Sequence, residues 1–406
     1  MSSIRFIHTA DLHLDSPFIG LNSLPKEVFQ KIYNSTFRSF ERIIEKAIDL
    51  EVDFVIISGD LYDGEDRSIK AQARLQKQLQ RLHKASIPVF IIHGNHDHLG
   101  GRWHDLPLPN NVHIFKEQVE GVTIQTKNHN TVHLYGFSYR ERHVFERKIA
   151  EYPIIRQKSD YHIGILHGSE GSVENHHEPY APFTITDLIK KGMDYWALGH
   201  IHKTQTLSME PAIVYPGNIQ GRHRKEQGEK GCYEVTLSKE EVSLDFIATQ
   251  EVVWIKEQVS LNEGSIFADF FSQLQHIKKK YRALYCGTLL EIEVVGDYPK
   301  SIADAIQSGE LIQSLQDGEE FEERFVWTYS LYLQKNTEKV GNSLLFSELS
   351  STIEKWGAVE WEETISALYF HPQANRYLDD KHCNDRDLLR QKTLSLLEAT
   401  LNTKEE

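Results

Sequence analysis

The sequence predicts a layered α/β domain with two packed sheets, followed by a small α+β domain and helices, and three observations carry that reading. Across the first 250 residues, short β-rich runs end in polar clusters and helical periodicity follows, which is βα alternation. Further strand patterns beyond those runs exceed one sheet. The chain has 406 residues, 40% hydrophobic and 26% charged, an ordinary globular composition that allows about two or three domains.

The elements follow in order. Ile4 to His8 leads into Asp11-Leu12-His13, Asp53 to Ile57 into Gly59-Asp60-Leu61-Tyr62-Asp63, and Ile87 to Ile92 into Gly94-Asn95-His96-Asp97. Tyr161 to Leu166 then leads into His167-Gly168, and Asp194 to Leu198 into Gly199-His200-Ile201-His202. Between them, Phe29, Ile32, Phe37, Phe40, Ile43, Ile44, Ala47 and Ile48 approximate a helical stripe, as do Ile69, Ala73, Leu75, Leu79 and Leu82. These read as core. Val132 to Tyr139, Ala212 to Tyr215 and Gly231 to Leu237 read as further strands. The first domain is placed at 1–270. A strand over Ala283 to Val295, a helix over Ser301 to Leu315 and a strand over Phe325 to Leu333 make a small domain at 271–340. Region 341–406 reads as helical, with stripes through Leu344, Leu345, Leu349 and Ile353, then Leu388, Leu389, Leu394, Leu396 and Leu397.

Composition excludes several classes. No stretch approaches the roughly 18 apolar residues of a membrane span, and Met1 to Phe6 opens no long apolar leader, so a cytoplasmic protein without a membrane span is expected. Cys232, Cys286 and Cys383 are far apart and in no ligand spacing, which argues against a disulfide frame or a thiolate metal site. The formal charge is −14, against a broadly basic nucleic-acid surface.

Histidine, at 21 residues, is the anomaly. Loops at the carboxyl ends of strands in an open α/β sheet converge on one crevice, and all five polar clusters share that address. Asp11, His13, Asp60, Asn95, His167, His200 and His202 offer mixed oxygen and nitrogen ligands, a set suited to Mn, Fe or Zn better than to Mg or Ca. Any single cluster would more often be structural. Five together, each behind a strand, make that reading improbable. His93, His98, His104, His176 and His177 have no spacing that requires them as ligands, and Asp97 reads as a loop cap.

Together these clusters resemble the five-block signature of the calcineurin-like metallophosphoesterases. The opening His8-Thr9-Ala10-Asp11-Leu12-His13-Leu14, the Tyr215-Pro216-Gly217-Asn218 segment and the added C-terminal domain are similar to those of the SbcD-like DNA-repair nucleases, in particular the YhaO-type. The resemblance implies a four-layer α/β/β/α sandwich with a small α+β capping domain and C-terminal helices. It further implies two divalent metals, manganese foremost: one held by Asp11, His13, Asp60 and His202, the other by Asp60, Asn95, His167 and His200. Attack would be in line by a metal-bridging hydroxide. His96 is expected to assist the leaving group and the Asp63 carboxylate to support His96.

DNA affinity must then come from local patches, the metal site or a partner, because no region of the chain is basic overall. Arg222, Arg224 and Lys225 form the best candidate patch, beside the expected metal site; Lys278-Lys279-Lys280-Tyr281-Arg282 is more simply a solvated helix face. The resemblance implies an SbcC-like coiled-coil ATPase partner, docked through the C-terminal helices, and a homodimer. The alternatives are a phosphatase or cyclic-nucleotide phosphodiesterase with the same metals, and a non-catalytic DNA-end or ATPase-binding scaffold.

Overall fold

The computed structural model describes residues 3–334 except 19–20, 22–23, 65–66, 102–105, 157–158 and 172–179, and beyond them 344–357, 360–361, 363–364, 390 and 393–394. Strands β1 (Ile4–Thr9), β2 (Phe54–Ser58) and β3 (Val89–Ile92) are connected by α1 (Lys26–Tyr33) and α2 (Ser35–Asp49), then by α3 (Ile69–Lys84). There follow β4 (Val112–Ile114), β5 (Glu120–Gln125), β6 (Thr131–Gly136), β7 (Tyr161–His167), α4 (Ile185–Lys190), β8 (Tyr195–Gly199), β9 (Gln205–Met209) and β10 (Ala212–Tyr215). A pair, β11 (Gly231–Leu237) and β12 (Val242–Ala248), closes this part.

Two six-stranded sheets result, ordered β12-β11-β1-β2-β3-β4 and β5-β6-β7-β8-β10-β9. Strand periodicity explains the layering. In β1 and β2, Phe6, Phe54 and Ile56 face the second sheet, packing against Ile163, Ile165 and Tyr195. Their neighbours Ile7, Val55 and Ile57 face α2 and α3. Both faces are covered, so these strands are apolar throughout. The far face of the second sheet, with Leu166, Trp196 and Leu198, packs under Leu188 of α4. The four-layer α/β/β/α sandwich is the observed architecture.

The helical stripes need refinement. Asn34 separates α1 from α2, so the first stripe is two helices. On α3 the buried line is Ala71, Leu75, Leu79 and Leu82, while Ile69 at the first turn is 56% exposed. Ser68 caps α3 by accepting from Ala71 N at 3.0 Å.

A third sheet is all parallel: β13 (Val252–Leu261), β14 (Gly287–Gly296) and β15 (Val326–Leu333), in that order. Its crossovers are α5 (Phe267–Arg282), then α6 (Lys300–Gln307) and α7 (Glu310–Gln316), which cover one face. The other face packs Val252, Trp254, Leu289 and Trp327 against Phe18, Val28 and Ile32 of the first part. Strand β13 lies inside 1–270, yet its ten-residue register is with β14, so this sheet begins at Val252 rather than after 270. The three consecutive polar residues Lys256, Glu257 and Gln258 interrupt the alternation and hid it from periodicity.

After that sheet, α8 (Leu344–Glu354) is described, with Ile353 buried; Leu388, Leu389, Leu396 and Leu397 lie outside the described residues, as does Cys383. Cys232 and Cys286 are buried free thiols. No described helix is long and apolar enough to cross a membrane.

Candidate metal centre

The parallel pairings β1–β2–β3 and β7–β8 put five carboxyl ends on one side of the sandwich. The turns leaving them are tight. Asp11, His13, Asp60 and His200 have φ of 49°, 42°, 51° and 101°, a left-handed conformation unusual for residues with side chains and one that concentrates at functional sites. Gly94 leaves room for the cluster, since a Cβ there would lie 2.3 Å from Asp60 Oδ1 and 2.6 Å from His167 Nε2.

The seven sequence-predicted ligands meet. His13 Nε2 is 3.0 Å from His202 Nε2, and His202 Nε2 is 4.0 Å from Asp11 Oδ1. Asn95 Oδ1 is 3.0 Å from His167 Nε2 and 3.2 Å from His200 Nδ1. Asp60 Oδ2 lies between the two groups, 3.8 Å from His13 Nε2 and 3.5 Å from His167 Nε2. Asp11, His13, Asp60 and His167 are at most 1% exposed.

The electrostatics fit cations. Burial pushes the Asp11 carboxyl up to about 7 and raises that of Asp60, because nothing positive enough stands beside them. Burial lowers His167 to about 4, His200 to about 3 and His13 well below the usual histidine value, which keeps these imidazoles neutral. His167 Nδ1 donates to the Ser58 carbonyl at 2.9 Å, so its Nε2 carries a bare lone pair facing the amide oxygen of Asn95. Two lone pairs at that separation repel unless a cation lies near both. With no thiolate among the donors, the set fits divalent ions, and Asp60 stands close to both groups of donors.

Sequence reasoning missed Glu226. Its Oε1 accepts from His202 Nδ1 at 2.6 Å, while Oε2 accepts from Asn218 Nδ2 at 2.9 Å and Arg222 N at 2.7 Å. Burial works against a charged Glu226, but the bond to His202 overrides it and holds the carboxyl down at about 2. For His202 burial likewise opposes charge, and Glu226 with Asp11 raises its pKa above the usual value. A carboxylate behind an imidazole fixes the tautomer and aims the other nitrogen. The only hint in the sequence was a lone acid closing the basic run Arg222 to Lys225. Asp97 does more than cap its own loop: it accepts from Gly94 N at 2.8 Å and Leu61 N at 3.0 Å and pairs with His93 at 2.8 Å, pinning the Asn95 loop to the Asp60 loop. His104, His176 and His177 lie outside the described residues.

Asp63 differs from expectation. His96 Nδ1 is 3.2 Å from the main-chain carbonyl of Asp63, not from its carboxylate. The carboxylate instead receives Arg222 Nη1 and, at 3.1 Å, Ser16 Oγ; it also stands 3.1 Å from His13 Nδ1, out of line for a hydrogen bond. Arg222 takes the carboxylate in place of His96 because a largely buried guanidinium needs a full counter-charge. Arg222, with a side chain 14% exposed, therefore faces inward, away from the surface patch expected of it. Arg224 is half-buried and Lys225 exposed.

A helix-flanked double sheet bearing this histidine, aspartate and asparagine cluster at its strand ends defines a metal-dependent phosphoesterase, and the chain belongs to the calcineurin-like metallophosphoesterases. Residues 4–204 match the calcineurin-like phosphoesterase family model. The chain is 40% identical over 389 residues to the uncharacterized metallophosphoesterase YhaO of Bacillus subtilis (strain 168), covering 93% of each chain. It is 27% identical over 244 residues to the DNA double-strand break repair protein Mre11 of Archaeoglobus fulgidus, covering 53% of this chain and 50% of that one. With the Mre11 of Methanocaldococcus jannaschii it shares 26% over 282 residues, 64% and 72% of the two chains.

Proposed function

We propose that this metallophosphoesterase is a DNA nuclease working with manganese at two sites, one held by Asp11, His13, Asp60 and His202 and the other by Asp60, Asn95, His167 and His200. The observation that carries it is Asp60 Oδ2, within 3.8 Å of one imidazole from each group, which supports a shared ligand. Double-strand-break repair proteins among its relatives support DNA as the substrate.

When bound, such ions acidify a water and draw charge from phosphate oxygens. The chain's own residues do the rest. Glu226 and the Ser58 carbonyl hold His202 and His167 in the tautomers that present Nε2 inward. His96, anchored through Nδ1 to the Asp63 carbonyl and through its amide to Asp60 Oδ1 at 3.0 Å, keeps Nε2 available to deliver a proton to the leaving oxygen. The net charge of −14 supports an added source of DNA affinity, for which we infer an SbcC-like ATPase partner docked on the C-terminal helices. Arg224, half-buried, and Lys225, exposed, are the residues of the expected patch we assign to DNA phosphates.

The test uses chelator-stripped full chain reloaded with Mn, Fe, Zn or Mg. It is offered linear duplex, single-stranded DNA, bis(p-nitrophenyl) phosphate and p-nitrophenyl phosphate, alone and with the ATPase. Cleavage of DNA and the diester is expected. Hydrolysis of the monoester alone would make the protein a phosphatase, and no hydrolysis under any loading would leave the scaffold reading.

A further inference from the structure

A line of aromatic rings leads outward from the candidate metal centre. The Tyr180 ring lies 4.7 Å from that of His200, its centroid-to-centroid contact tilted by 45°. His143 follows at 5.6 Å from Tyr180 and 24° from parallel, and Phe145 at 5.8 Å from His143 and 7° from parallel. Phe145 is 57% exposed. A single exposed aromatic needs no explanation; one that ends a stack begun at a hydrolytic site does. The line is braced, because Val144 between the two outer rings is buried in the core and its carbonyl accepts from Ala181 N at 2.7 Å, next to Tyr180.

The charge around the rings runs against that of the molecule. Within residues 139–148 the cations Arg140, Arg142, Arg147 and Lys148 outnumber Glu141 and Glu146, in a chain whose formal charge is −14; Arg147 is held by Asp187 and Lys148 by Glu151 at 2.8 Å, so Arg140 and Arg142 are the cations beside the rings that bear on a ligand. Arg140 is 72% exposed at the side chain and meets Glu117 only at 3.6 Å, a surface pair that contributes little and leaves the guanidinium available to phosphate.

We propose that Phe145, backed by His143 and Tyr180, offers a base-stacking subsite for the single-stranded end of a nucleic acid whose scissile phosphate lies at the metal centre. The proposal rests on the nuclease reading and adds strand preference to it. Bases inside a duplex are covered by their neighbours, whereas a frayed or single-stranded end offers free π-faces, and stacking accepts any sequence. Arg140 and Arg142 meet the backbone.

The experiment measures KM for a labelled single-stranded oligonucleotide and turnover of bis(p-nitrophenyl) phosphate with Mn-loaded full-length wild type, Phe145→Ala and Phe145→Trp. Phe145→Ala should raise the oligonucleotide KM by about five-fold or more, Phe145→Trp should restore it, and ester turnover should stay constant. An oligonucleotide made abasic at its end should lose the difference between the variants. Unchanged KM in Phe145→Ala, with wild type cutting the strand, would overturn the subsite and leave the nuclease standing. An equal fall in ester turnover would also overturn it, as damage to the metal centre. Wild type that hydrolyses the ester but neither binds nor cuts the strand would remove both readings.

Discussion

Glu226 Oε1 lies 2.6 Å from His202 Nδ1, and that bond turns the other nitrogen of His202 to within 3.0 Å of His13 Nε2. The carboxylate comes from the loop after Asn218, whereas both histidines follow strands, so the pair ties one wall of the metal centre to a segment with no ligand of its own. Glu226→Gln keeps the shape but weakens the charge behind the imidazole. It should lower affinity for one of two manganese ions by about 10- to 100-fold. Calorimetric titration of the stripped protein checks this; two sites of unchanged affinity would refute the role.

Asp63 and Arg222 should prove coupled. Asp63→Asn leaves a mostly buried guanidinium without its counter-charge, at a cost of about 3 kcal/mol in stability. Adding Arg222→Gln should recover part of that loss in a double-mutant cycle read by denaturant unfolding. Additive losses would mean the pair does not interact.

His96→Ala should cut turnover of a diester by about 10² to 10⁴ while elemental analysis finds the metal content of wild type. Asp63→Asn retains the carbonyl that anchors His96, so its turnover should exceed that of His96→Ala. Metal loss in step with activity in His96→Ala would make His96 a ligand instead.

His8 makes stability depend on pH. Buried between the sheets against Tyr195, Leu198 and Ser58, it has its pKa lowered by burial to about 3 from an unfolded value of 6.5. The unfolded chain therefore takes up a proton below 6.5 that the folded one refuses. The stability His8 preserves above pH 6.5 is lost as pH falls from 6.5 towards 3, roughly 2 kcal/mol by pH 5. In chelator, the unfolding free energy of His8→Gln should fall less steeply than that of wild type from pH 7 to pH 5. Parallel slopes would show that His8 takes up its proton without unfolding.

The sandwich was legible because its strands carry apolar residues on both faces: Phe54 to Ile57 reads as a buried strand with no knowledge of its partners. Strand β13 was not, since Lys256, Glu257 and Gln258 leave half of it wet. The break at Asn34 was equally silent, because the apolar spacing of α1 runs on into that of α2.

Chain order alone picked out the seven candidate ligands, since each sits at or just beyond the carboxyl end of a strand and parallel strands deliver those ends to the same edge. What only tertiary structure decided was allegiance among charged groups: that Glu226 serves His202, that Asp63 goes to Arg222 while its carbonyl serves His96, and that Phe145 continues the rings from His200. Those choices depend on the directions of side chains from loops far apart in the chain. Desolvation makes each buried charge take the strongest partner within reach, and packing alone sets which partners are within reach.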